Sequence, residues 1–70
     1  MQHLYSDDPL LNTGEAAQFL KSSAASLVSW RQQRKGPVYI KIGHKVFYRR
    51  SDLEAFIAAN RRIPGNDSAL

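Results

Sequence analysis

At 70 residues the chain can build one small domain, which buries only about 60% of the surface its unfolded form exposes and leaves no room for a deep catalytic pocket. It has no cysteine, so disulfides and thiolate metal sites are excluded, and its two histidines, His3 and His44, stand far apart instead of in ligand spacing. The net charge of +4 is strongly segregated.

Residues 1–20 hold Asp7, Asp8 and Glu15 with no lysine or arginine, and residues 51–70 set Arg61 and Arg62 against Asp52, Glu54 and Asp67. Between them, residues 21–50 carry Lys21, Arg31, Arg34, Lys35, Lys41, Lys45, Arg49 and Arg50 without one acid. Solubility alone does not require that exclusion, and a block of uncompensated cations suits a polyanionic partner.

In chain order, residues 1–9 read as a flexible arm, since "MQHLYSDDP" shows no periodicity. It also lacks the basic start and apolar run of a secretion signal. No stretch approaches the roughly 18 apolar residues of a membrane span, so the expectation is a cytoplasmic, nucleoid-associated protein with no membrane partner. The domain is expected over residues 10–62. Asn12 with Glu15 is a capping-box pattern, and it predicts a first helix over 13–20 with Ala16, Phe19 and Leu20 facing inward.

"KSSAAS" breaks the helical pattern. Ser23 is the better cap for a second helix, which turns Leu27 and Trp30 inward and is closed by Arg31, Arg34, Lys35 and the Gly36-Pro37 stop. Trp30 reads as a core residue, because Leu27 shares its face. "VYIKIGHKVFYR" alternates as a hairpin. A three-residue turn at Gly43-His44-Lys45 would pair Ile42 with Val46 and Ile40 with Tyr48. That register buries Val38, Ile40, Ile42, Val46 and Tyr48 and leaves Tyr39, Lys41, Phe47 and Arg49 outside. Ser51 with Glu54 repeats the capping-box pattern and predicts a third helix over 52–62 with Leu53, Phe56 and Ile57 on its inner stripe. Residues 63–70 read as a flexible tail.

Helix, turn, helix, two-stranded wing and helix make an α+β, mostly α, winged helix-turn-helix. The stretch "LLNTGEAAQFL…SLVSWRQQRKGPVYIKIGHKVFYRRSDLEAFI" resembles the excisionase and AlpA-type regulator family of the MerR superfamily over about residues 10–58. The resemblance implies double-stranded DNA as partner, with the second helix in the major groove and the wing tip along the minor groove or its phosphates. It also implies a non-enzymatic role as a recombination directionality factor that bends attachment-site DNA to favour integrase-mediated excision. A site-specific integrase and neighbouring copies of the chain on DNA would be further partners. A transcription regulator of a mobile element is the alternative within the family, and a protein-interaction module without DNA binding is the alternative outside it.

The residues of the second helix that point away from Leu27 and Trp30 are Ala24, Ala25, Val28, Ser29 and Gln32, the expected base contacts. Ser23, Arg31, Arg34, Lys35, Lys41, His44, Lys45, Arg49 and Arg50 are the expected contacts to the DNA backbone. Relatives commonly carry Gly-Val at the turn, an early arginine in the recognition helix and an arginine at position 47. Here Lys21-Ser22, Ala24-Ala25 and Phe47 stand in those places, so base readout is expected to be weak and to lean on DNA shape or repeated copies. No catalytic residue, metal, cofactor or small-molecule substrate is expected.

Overall fold

A computed structural model of the chain describes residues 8–64, so most of the expected arm and tail lies outside the described residues. The elements are β1 (Leu10–Asn12), α1 (Thr13–Phe19), α2 (Ala24–Gln32), β2 (Ile40–Ile42), β3 (Lys45–Arg49) and α3 (Arg50–Ala59). Three helices thus pack with a three-stranded antiparallel sheet of order β1-β3-β2, the architecture of a winged helix-turn-helix.

The capping box of α1 forms as expected: the Glu15 N–H donates to Asn12 Oδ1 at 2.8 Å and the Asn12 N–H to Glu15 Oε1 at 2.9 Å. Its inner stripe runs through Ala16, Ala17 and Leu20, whereas Phe19 is 38% exposed. Burying Ala17 rotates the stripe to the side of the Ala16–Leu20 row away from Phe19, and two alanines let the neighbouring backbones approach closely. The helix ends in a Schellman motif. The Ser22 N–H donates to the Ala17 carbonyl at 2.8 Å, the Lys21 N–H donates to that of Gln18 at 3.1 Å, and Lys21 is left-handed at φ 55°.

Ser23 caps α2, accepting from the Ser26 N–H at 3.1 Å. The helix stops at Gln32, short of the Lys35 that the Gly-Pro signal suggested, because a second Schellman motif intervenes. The Lys35 N–H reaches the Trp30 carbonyl at 2.8 Å, the Arg34 N–H reaches that of Arg31 at 3.1 Å, and Arg34 sits at φ 59°. Gly36, at φ 93°, then brings its backbone under Trp30. A Cβ there would lie 2.9 Å from Trp30 Cβ, so this glycine is required by conformation and by contact.

The sheet differs from the expected wing in two ways. β1 adds a third strand, with Leu10, Leu11 and Asn12 opposite Arg49, Tyr48 and Phe47. The hairpin pairs Ile40 with Phe47, Lys41 with Val46 and Ile42 with Lys45, so its turn has two residues, Gly43-His44, and not three. Gly43 takes φ 62° while His44 does not enter the left-handed region, the glycine-first pattern of a type II′ turn whose twist matches the flanking strands.

The one-residue shift inverts β2. Leu11, Lys41, Val46 and Tyr48 share the face that includes the core, and Ile40 and Ile42 lie on the other face with Leu10, Asn12, Lys45, Phe47 and Arg49. Ile42 and Val38, expected inside, are 54% and 64% exposed. Tyr39, expected outside, is 43% exposed, with its ring 6.2 Å from that of Tyr48. The inner face of β3 is supplied by Leu11 from a neighbouring strand, so the core does not need the isoleucines of β2.

α3 begins directly from β3, and the expected Ser51–Glu54 box does not form. The Ser51 N–H and Oγ both donate to the Asp8 carboxylate, at 3.1 and 2.9 Å, so a residue from before β1 caps the helix. Asp8 and Pro9, expected within the arm, are therefore tied to α3, since the Arg50 N–H also donates to the Pro9 carbonyl at 3.4 Å. α3 ends at Ala59 instead of 62, with Asn60 Nδ2 donating to the Phe56 carbonyl at 2.8 Å.

Leu53 is buried and Phe56 half-buried, but Ile57 is exposed. The core comprises Ala16, Ala17, Leu27, Tyr48 and Leu53, with Leu11, Leu20, Trp30 and Val46 packed against it. Trp30 is the expected packing residue, its ring 5.6 Å from that of Phe56.

Candidate nucleic-acid interface

α2 positions its outer face by burying Leu27 and resting Trp30 on the core edge. Ala24, Val28 and Gln32 then form an i, i+4, i+8 row with Ala25 beside it, and all four are exposed. Ser29, the fifth expected base contact, is half-buried, and its Oγ accepts from Gln33 Nε2 at 2.7 Å. Gln33 was not among the expected residues. Its i, i+4 spacing from Ser29 was the available signal, and its amide holds Ser29 at the edge of this face. The face offers methyl and methylene surface with one free amide, Gln32, which fits shallow contact with base edges better than a dense set of donors.

The expected backbone contacts separate into two groups. Arg31 turns inward: its Nη1 donates to the Tyr48 hydroxyl at 2.7 Å and to Thr13 Oγ1 at 3.3 Å, and its guanidinium lies 5.7 Å from the Tyr39 ring centroid. Arg49 donates through Nε and Nη2 to both Asp52 oxygens, at 3.0 and 3.2 Å, with Asp8 3.8 Å away. Donating these hydrogen bonds to Asp52, and then the Asp52 charge, raises the Arg49 pKa. Arg50 pairs with Glu54 at 3.6 Å. These three arginines, expected to hold phosphates, are engaged within the protein.

Arg34, Lys35, Lys41 and Lys45 are exposed, and among the described residues none has an ion pair. His44 is exposed at the hairpin turn. The Ser23 hydroxyl is occupied by its own helix, accepting from the Ser26 N–H and donating to Ser26 Oγ at 3.0 Å. Arg34 and Lys35 flank an open cleft of about 360 Å³, bounded also by Arg31 and by the turn through Gly36, Pro37, Val38 and Tyr39. A cleft between the end of α2 and the start of β2 with two unpaired cations is suited to an oxyanion approaching from solvent.

Asp8 sits at the start of α3, where its carboxylate accepts from Ser51 and lies 3.8 Å from Arg49. Its pKa is lowered, chiefly by the Ser51 backbone N–H, then by the Ser51 hydroxyl and by Arg49 and Arg50, against a smaller opposing effect of burial than the first of these. It therefore stays ionised and spent on the start of α3.

An exposed recognition-type helix beside a basic β-hairpin defines the DNA-binding winged helix-turn-helix class. The model of the helix-turn-helix domain family matches residues 10–61, most of the chain, and the protein belongs to that family. No curated protein and no solved structure matches it significantly. Among the described residues no helix is long and apolar enough to cross a membrane.

Proposed function

We propose that this protein is an excisionase-type recombination directionality factor of the MerR superfamily, which binds and bends attachment-site DNA and leaves strand chemistry to a partner integrase. The observation that carries the reading is the exposed Ala24–Val28–Gln32 row of α2 accompanied by four unpaired cations, two beyond the end of α2 and two on the hairpin. Gln32 and the small apolar residues read base edges, while Arg34, Lys35, Lys41 and Lys45, with His44 at the tip, hold the backbone. Copies bound side by side compensate for the few base-edge donors.

The test is footprinting and gel mobility on DNA flanking the gene, followed by an excision assay with any integrase encoded beside it. Four neutralised phosphates predict that log affinity falls with log salt at a slope of about −4. A flat salt response would instead favour a protein-interaction module that uses Ala24, Ala25 and Val28. A second reading, an AlpA-type transcription regulator, rests on the same family membership. It predicts footprints at a promoter and no effect on excision.

A further inference from the structure

Of the four left-handed positions among the described residues, two are glycines, Gly36 and Gly43, and two are cations, Lys21 at φ 55° and Arg34 at φ 59°. Both cations occupy the position after a helix end where glycine is the least strained residue, and both Schellman motifs are complete in backbone hydrogen bonds. A β-carbon in that conformation is disfavoured, so a side chain that persists there must be repaid elsewhere. No such return is visible inside the protein: both residues are exposed, and neither has an ion pair among the described residues.

Their placement supplies a reason. Lys21 lies in the turn that precedes α2, and Arg34 lies just beyond its end. α2 has nine residues, or about 13 Å at about 1.5 Å per residue, and a major groove that admits such a helix is bordered by a phosphate backbone on each side. A cation beyond each end then stands near the phosphate wall on its side. We propose that Lys21 and Arg34 are paired phosphate clamps at the two ends of α2, retained in strained backbone conformations for the contacts they make with duplex DNA. Lys21 is thereby added to the interface, and Arg34 becomes a contact whose conformation is held before binding.

This inference rests on the DNA-binding reading above. The experiment compares wild type, Lys21→Gly, Arg34→Gly and the charge-keeping variants Lys21→Arg and Arg34→Lys, by thermal melting and by fluorescence anisotropy with a labelled duplex of mixed sequence across a salt series. Each glycine variant is expected to melt several degrees higher. It should also bind several-fold more weakly, with a salt slope flattened by about 0.9. The charge-keeping variants should match wild type in both measurements. Because the glycine variants become more stable, weaker binding cannot be ascribed to unfolding. Glycine variants that bind with unchanged affinity and slope overturn the clamp, as do glycine variants that melt lower. A wild-type protein that fails to bind the duplex overturns the DNA-binding reading itself.

Discussion

Replacing Arg31 with alanine tests whether this cation acts through the fold or through DNA. Tyr48 is 0% exposed, and Arg31 Nη1 donates to its hydroxyl at 2.7 Å. A hydrogen bond from a charged donor contributes about 1.5–3 kcal/mol, and a buried hydroxyl that loses its partner costs about 1–3 kcal/mol. Arg31→Ala should therefore destabilise by about 2–3 kcal/mol, a large share of the roughly 3–10 kcal/mol expected for a domain of this size.

Tyr48→Phe should cost less, about 1–1.5 kcal/mol, because the half-buried guanidinium it leaves behind can turn to water. The double variant should then be more stable than the sum of the singles predicts, with a coupling of about 1–2 kcal/mol. Urea unfolding followed by the fluorescence of Trp30, the single tryptophan, measures all four corners of the cycle. Singles that add to within about 0.3 kcal/mol would refute the pairing. So would an Arg31→Ala protein of normal stability that no longer binds DNA, because Arg31 would then be a phosphate contact after all.

The other predictions separate contact from conformation and charge from packing. Gly36→Ala should destabilise by about 2–4 kcal/mol, from left-handed strain plus a forced shift of Trp30, whereas Gly43→Ala, with nothing within 4 Å of the new carbon, should cost only about 1–2 kcal/mol. Equal losses in urea melts would mean that the close approach to Trp30 is not felt. Asp8→Asn should destabilise at neutral pH by weakening the cap on α3. The folded-state pKa of Asp8 lies below its ordinary 3.8, so its contribution is present above that value and lost as pH falls through the folded value. The gap between wild type and Asp8→Asn should accordingly close in strong acid, and a gap independent of pH would show that the charge is not what matters. Gln32→Ala should change the ranking of sites in a binding selection more than the affinity for mixed-sequence duplex. A uniform loss across sequences would place Gln32 on the backbone.

What could be read from sequence was local. The Asn12–Glu15 box and the Ser23 cap are decided within three residues, and both form. The cap of α3 is supplied by Asp8, 43 residues from Ser51, and Arg31 finds Tyr48 17 residues away; no spacing rule reaches so far. β1 is three residues long, too short to show a period. The hairpin register failed for a different reason. Both faces of β2 and β3 carry apolar side chains, so alternation could not choose between turns, and the conformation of Gly43 decided the matter. The pairs Arg49–Asp52 and Arg50–Glu54 had an available signal, as i+3 and i+4 neighbours where a helix begins, but both arginines were assigned to phosphates instead.

Those pairs give the charge segregation a structural meaning. The acids that neutralise arginines, Asp8, Asp52 and Glu54, all lie outside the acid-free block of residues 21–50. They reach only the block's last two cations, Arg49 and Arg50, because β3 runs directly into α3 and the chain before β1 folds back onto the same junction. The border arginines thus become part of the scaffold that fixes α3 to the sheet. Arg34, Lys35, Lys41 and Lys45 lie further inside the block, with no acid nearby in sequence and no ion pair among the described residues. An acid placed within the block could have paired with them and would have competed with phosphate for the same donors. Keeping the acids at the margins lets one cationic sequence both secure the fold at its edge and leave its central cations without an ion pair among the described residues.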